Sequence, residues 1–234
     1  MKKYFGTDGI RGIPNKNLTN EIISKISSCV EEILKPTSVA VILDTRNSSL
    51  EILNWICEGF SENIEVVNYG VLPSGSMPIL LKHFGHNLGI IISASHNPSE
   101  YNGIKLIDEN GSKLQDNIEI KIESYFENIE VPKAHTSFKD SEDGYKVYYE
   151  FLNELFDFDI TNFNIVIDSA YGSAYKIIDH LLSENNSKFN MIANTPDGEN
   201  INFESGATYT NNLCSTLKKG QIGAAFDGDA DRLI

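Results

Sequence analysis

Basic residues and cysteines are both scarce in this chain, and each shortage narrows what it can do. Lys and Arg number 19 against 33 Asp and Glu, a formal net charge of −14 over 234 residues. A phosphate backbone needs a basic footprint, so this balance argues against a nucleic-acid partner. An anionic membrane surface is disfavoured for the same reason. Cys29, Cys57 and Cys214 are too few and too scattered for a disulfide framework or a zinc site, and they read as reduced thiols in a cytosolic protein. No run reaches the roughly 18 apolar residues of a membrane span. The N-terminal MKKYFGTDGI lacks the apolar stretch of a signal peptide. A soluble, cytoplasmic protein is expected.

Internal repeats and low-complexity blocks are absent too. Apolar residues at 41% and charged residues at 22% are ordinary globular composition. The length allows one large domain or two small ones. Such an acidic protein binds a phosphorylated ligand only where local cations or backbone N–H groups overcome the global field.

Hydrophobic periodicity predicts helices at 18–34, 48–60, 77–84 and 115–126, with short buried strands at 39–43, 64–69, 88–92 and 104–107. Thr19 is the expected N-cap of the first helix. A polar, weakly periodic stretch then reads as a linker over 131–143. Alternation resumes with a helix at 145–156, strands at 164–168, 188–192 and 222–226, and helices at 173–182 and 211–218. Alternating buried strands and amphipathic helices define an α/β fold: two consecutive domains with mainly parallel mixed sheets, 1–130 and 144–234. The last strand feeds a loop with little chain beyond it, so the second domain is expected to be truncated and the sequence to be the N-terminal part of a longer protein.

Three segments carry chemistry. Asp227-Gly228-Asp229-Ala230-Asp231-Arg232 alternates carboxylates with the two smallest residues directly after a buried strand. In an extended strand, i and i+2 side chains lie about 6.6 Å apart, too far for three to share one ion. A turned loop brings them together, and an oxygen-only set suits Mg²⁺ better than zinc. An EF-hand is ruled out, because its sixth position must be Gly and here is Arg232. Ser93-Ala94-Ser95-His96-Asn97-Pro98 comes directly after the strand at 88–92, and ligands in open α/β sheets gather at strand carboxyl ends. Ser95 is a candidate nucleophile or phosphate acceptor, and Lys105 returns a cation beside it. Phe5-Gly6-Thr7-Asp8-Gly9-Ile10-Arg11-Gly12 offers glycines for close backbone approach to an anion and an Arg for bidentate phosphate contact. A serine loop, an acidic loop and flanking cations together suggest phosphoryl transfer through a phosphoserine.

Taken together, FGTDGIRG at 5–12, SASHNP at 93–98 with NGIK at 102–105, and DGDADR at 227–232 resemble the α-D-phosphohexomutase superfamily, in order and rough spacing along the whole chain. Asp8, the block DSAYGSAYK at 168–176 and PDGENINFESG at 196–206 favour the branch that interconverts glucosamine 6-phosphate and glucosamine 1-phosphate. That resemblance implies an isomerase working through a 1,6-bisphosphate and supplying cell-wall precursors. Ser95 would be phosphorylated, primed by glucosamine or glucose 1,6-bisphosphate or another phosphoryl donor. Asp227, Asp229 and Asp231 would hold Mg²⁺ together with phospho-Ser95. Arg11, His96, Lys105 and Arg232 would surround the phosphoryl group, Arg11 and Arg232 binding phosphate and Lys105 a candidate for proton transfer. A phosphosugar is the implied partner, and a homodimer is admitted.

The sequence also departs from that family. The family has four domains, and the two that grip the sugar hydroxyls and the distal phosphate have no counterpart here, so the chain alone is expected to turn over negligibly. Ala230 replaces the usual Gly, a small change where φ is negative. Leu72-Pro73-Ser74-Gly75-Ser76 replaces the common PTP loop, which puts the packing under the site in question. Another hexose phosphomutase and an inactive metal-binding remnant are the alternative readings.

Overall fold

A computed structural model describes residues 2–156, 160–185 and 187–234. Its first sheet has six strands in the order β1-β5-β4-β2-β3-β6: β1 Ile10–Gly12, β2 Ser38–Leu43, β3 Glu65–Val71, β4 Leu88–Ile92, β5 Asn102–Asp108 and β6 Phe138–Asp140. β2 pairs in parallel with β3 and β4, and β6 extends the sheet in parallel from β3. β5 runs antiparallel between β4 and β1. The second sheet is small and wholly parallel, β8-β7-β9, from β7 Asn164–Asp168, β8 Lys188–Ile192 and β9 Ile222–Ala225.

Both faces of the first sheet are covered, which is why β2 and β4 read as unbroken apolar runs. Side chains alternate between the faces. Val39, Val41 and Leu43 join Ile90, Ile92, Ile104 and Leu106 in one core cluster, while Ala40, Ile42, Ile91 and Ile107 join the other. The first cluster lies under α1 Asn20–Leu34, α2 Ser49–Gly59 and α4 Asp116–Tyr125. Ile23, Ile26 and Val30 from α1 and Ile52 and Ile56 from α2 are buried there, each contributing roughly 1.5–3 kcal/mol. Thr19 caps α1 as expected, its Oγ1 accepting from the Ile22 N–H at 3.4 Å. The other face is covered by α3 Met77–Phe84 and α5 Asp143–Leu155. Ile177 of α6 Tyr175–Glu184 also reaches this second cluster, so the two sheets share a core boundary. α7 Asn211–Thr216 packs on β7 and β9 through Leu213.

The stretch read as a linker is more ordered than its composition suggests. It contains β6, and Tyr148 of the helix after it is buried in the second cluster. β1 lies in the glycine-rich segment 5–12, where no strand is predicted. Three residues carry too little periodicity to be seen, and pairing of Ile10 with Ile104 is what makes them a strand. Among the described residues, no helix is long and apolar enough to cross a membrane.

Candidate active site

Parallel strands deliver their carboxyl ends to one side, and five segments of this chain meet there. Asp44 to Arg46 come after β2, Ser74 after β3, Ser93 to Asn97 after β4, and Asp227 to Arg232 after β9. Lys105 projects from β5.

The serine loop is held from below by buried charge. Ser95 is buried and takes φ +51°, a conformation that side-chain-bearing residues adopt at a cost. Its N–H donates to Ser93 Oγ at 2.8 Å, and Ser93 Oγ donates to Asp44 Oδ2 at 2.6 Å. Arg46, with no exposed side-chain surface, donates from Nε to the same carboxylate at 2.9 Å. Its Nη2 donates to the carbonyls of Ser95 at 3.1 Å and Asn97 at 2.7 Å, and its Nη1 to that of Pro98. Asn202, from the second sheet's side, donates Nδ2 to the same two carbonyls, Ser95 at 2.8 Å and Asn97 at 3.0 Å.

The acidic loop faces this serine directly. Ser95 Oγ donates to Asp227 Oδ2 at 2.6 Å. Gly228 permits the approach: a Cβ there would lie 2.6 Å from the Ser95 carbonyl oxygen. Asp227 and Asp229 are buried, whereas the Asp231 side chain is 39% exposed. Each of the three offers an oxygen, all within 4.8 Å of one another. Asp229 Oδ2 accepts from Lys105 Nζ at 2.6 Å and Ser74 Oγ at 2.9 Å, while Lys105 also reaches Asp231 Oδ2 at 3.3 Å. Asp229 Oδ1 is buried without a partner among the described residues. An orphaned carboxylate oxygen inside a three-carboxylate cluster fits a hard divalent cation, since oxygen ligands are what Mg²⁺ takes. Asp227, Asp229 and Asp231 are the residues that could hold it.

Electrostatics divide these groups. Burial pushes the Asp227 carboxyl up to about 6, helped by Asp229 and Asp231 against the opposing Ser95 hydrogen bond. Burial would also raise Asp229, but the Lys105 ammonium beside it wins and holds it below the usual carboxylate range. Lys105 mirrors this: burial works to lower it, and Asp229 and Asp231 together hold it above an ordinary lysine. His96 Nδ1 lies 3.5 Å from Ser95 Oγ, and burial, then Arg232 and Arg11, lower its pKa. Arg11 Nη2 stands 3.5 Å from Asp8, and its Nε is buried without a partner among the described residues. Arg232 Nε stands 3.7 Å from Asp231.

Ser95, His96, Lys105 and the three aspartates therefore meet in one place, with Arg11 and Arg232 flanking His96. Two expectations change. Ala230 has φ +57°, so its replacement of glycine is strained and not neutral. The close approach at Gly9 is toward the Ile104 carbonyl, 2.2 Å from where a Cβ would sit, and so serves β5. Asp44, Arg46, Ser74 and Asn202 belong to the site without standing in any of the three sequence segments. Asp44-Thr45-Arg46 does carry a signal: like the serine loop, it is a polar cluster at the carboxyl end of a buried strand.

Residues 2–133 match the family described as phosphoglucomutase/phosphomannomutase, alpha/beta/alpha domain I, and the chain belongs to that family. Its relatives include phosphoglucosamine mutases. Those of Alkaliphilus oremlandii, 38% identical over 248 residues, and Clostridium kluyveri, 37% identical over 249, each align with 100% of this chain and 55% of their own length. The chain thus spans about half the length of these relatives. A phosphoglucomutase/phosphomannomutase family protein of Burkholderia thailandensis shares the fold at TM-score 0.80 and 22% identity, over 100% of this chain and 54% of its own. The Aspergillus fumigatus N-acetylphosphoglucosamine mutase, in complex with GlcNAc-6P and magnesium, aligns at TM-score 0.54 and 16% identity, over 100% of this chain and 50% of its own.

Proposed function

We propose that this chain carries the phosphoserine and metal loops of a phosphoglucosamine mutase, the isomerase that interconverts glucosamine 6-phosphate and glucosamine 1-phosphate. The observation that carries the reading is the 2.6 Å contact of Ser95 Oγ with Asp227, which sets a hydroxyl against a three-carboxylate cluster from the other sheet. The named relatives support the choice of sugar.

Phospho-Ser95 gives its phosphoryl group to the free C1 hydroxyl of glucosamine 6-phosphate: the Ser Oγ–P bond breaks, the sugar O–P bond forms, and a 1,6-bisphosphate results. The bisphosphate turns over and returns its 6-phosphoryl group to Ser95 Oγ, leaving glucosamine 1-phosphate. His96 Nδ1, 3.5 Å from Ser95 Oγ, is the group placed to accept the attacking hydroxyl's proton; in the unphosphorylated chain burial and two arginines lower its pKa. Lys105, kept as an ammonium, supplies a proton or positive charge to the transferring oxygens. Arg11 and Arg232 grip the phosphate. Mg²⁺, when bound by the aspartates, supplies neutralisation of their charge and polarises the phosphoryl group. A phosphoserine adds about −1.5 to −2 charge at pH 7, so cations on every side are required.

The same reading takes 1–130 and 144–234 as two units joined through 131–143; the two separate sheets support two units, while β6 and α5 pair and pack with the first sheet across that boundary. It also takes a cytoplasmic location, amino-sugar metabolism and a homodimer. The test is incubation of the chain with glucose 1,6-bisphosphate and Mg²⁺, followed by peptide mass mapping. One phosphoryl group on Ser95, absent from Ser95→Ala, is expected. Incorporation at another residue, or equal incorporation into Ser95→Ala, would overturn the reading.

A further inference from the structure

Asp229 is gripped at two points by one residue of the other sheet. Ser74 Oγ donates to Asp229 Oδ2 at 2.9 Å, and the Ser74 N–H donates to the Asp229 carbonyl at 2.9 Å. Lys105 Nζ occupies the same Oδ2 from the Lys105 side. A carboxylate turns broadly about its terminal torsion, so without such contacts either oxygen could face either way. Here both donors saturate Oδ2, and Oδ1 is left buried with no partner among the described residues. We infer that Ser74 is a positioning residue for metal binding: by fixing Oδ2 it presents Asp229 Oδ1 as a single-oxygen ligand to the cation. This rests on the metal-site reading above.

Ser74 stands in the segment Leu72-Pro73-Ser74-Gly75-Ser76, at the start of the 3₁₀ turn Ser74–Ser76 that comes after β3. Its backbone is therefore fixed by the first sheet, while the ligand it orients belongs to the second. The role is distinct from that of Lys105, whose charge also serves the phosphoryl group. Outer partners of metal ligands typically change affinity by 10–100-fold when removed.

The experiment uses the full chain and Mn²⁺ as probe, titrated by electron paramagnetic resonance. Wild type, Ser74→Ala, Ser74→Thr and Asp229→Asn are compared, with a thermal melt of each. Ser74→Ala keeps the backbone hydrogen bond and loses only the hydroxyl. It should bind Mn²⁺ roughly 10–100-fold more weakly, with Ser74→Thr restoring affinity to near wild type and both variants melting cooperatively. Equal affinity in wild type and Ser74→Ala would overturn the inference while leaving the metal site intact. Failure of Ser74→Thr to rescue would overturn the hydroxyl as the cause. Absence of Mn²⁺ binding in wild type would overturn the metal reading itself, and this inference with it.

Discussion

Single residues at this site hold conformations and charges that cost stability, and two of them give measurable consequences. Asp227 titrates near 6 in the folded chain because burial disfavours its charge, against an ordinary value of 3.8. Below that ordinary value the group is neutral in folded and unfolded chains alike. As pH rises toward 6 the unfolded chain ionises first, so folding stability falls across that window, by an amount on the order of 3 kcal/mol at about 1.4 kcal/mol per pK unit. Metal-free denaturation at pH 4, 6 and 7.5 should therefore show Asp227→Asn gaining on wild type as pH rises. A gap that does not change with pH would contradict this. Protons compete with metal for the same carboxylate, so Mg²⁺ stabilisation should be smaller at pH 5 than at pH 7.5. Ala230 is the second case. Its left-handed φ of +57° costs roughly 1–2 kcal/mol, while the unfolded-state entropy of glycine offsets about 0.4–1. Ala230→Gly should stabilise by roughly 0.5–1 kcal/mol in urea denaturation, and a destabilised variant would refute the strain.

At the scale of elements, the loop at the carboxyl end of β4 depends on the loop at the carboxyl end of β2. Arg46 and Asp44 form a buried pair that reaches three carbonyls of the serine loop. Removing one partner strands a buried charge, so Arg46→Ala should cost about 3–5 kcal/mol in a denaturation midpoint. Arg46→Lys should rescue little, because an ammonium cannot span the carboxylate and the carbonyls as a planar fork does. A loss below about 1 kcal/mol, the size of an exposed pair, would show that this pair is not what holds the loop. The apolar runs of β2 and β4 and the stripe of α1 are legible in sequence because they are long and periodic. The three-residue strands β1 and β6 are not, since pairing with β5 and β3 creates them. The reacting groups are legible as motifs. Their supports are legible only as segments, Arg46 in a polar cluster after a buried strand, Ser74 in the loop under the site and Asn202 in the 196–206 block; the partner each side chain meets is set by the tertiary fold.

For the whole molecule, the loops of the two sheets meet at a polar seam, beside the apolar boundary where Ile177 packs into the second cluster. Ser95 touches Asp227, Ser74 and Lys105 touch Asp229, and Asn202 clamps the serine loop. In a chain of net charge −14, the cations Arg11, Lys105 and Arg232 are gathered beside the loops that would carry phosphate, which is where a local field must overcome the global one. On the proposed function, phospho-Ser95 and the three aspartates share one cation across this seam. The decisive measurement is the phosphorus-31 resonance of the Ser95-phosphorylated chain, titrated with Mn²⁺. The phosphoserine signal should broaden beyond detection with Mn²⁺ well below one equivalent, and Asp227→Asn combined with Asp229→Asn should restore a sharp line at the same Mn²⁺. A phosphoserine line that stays sharp in wild type while Mn²⁺ binds, or that broadens equally in the double variant, would rule out the shared cation.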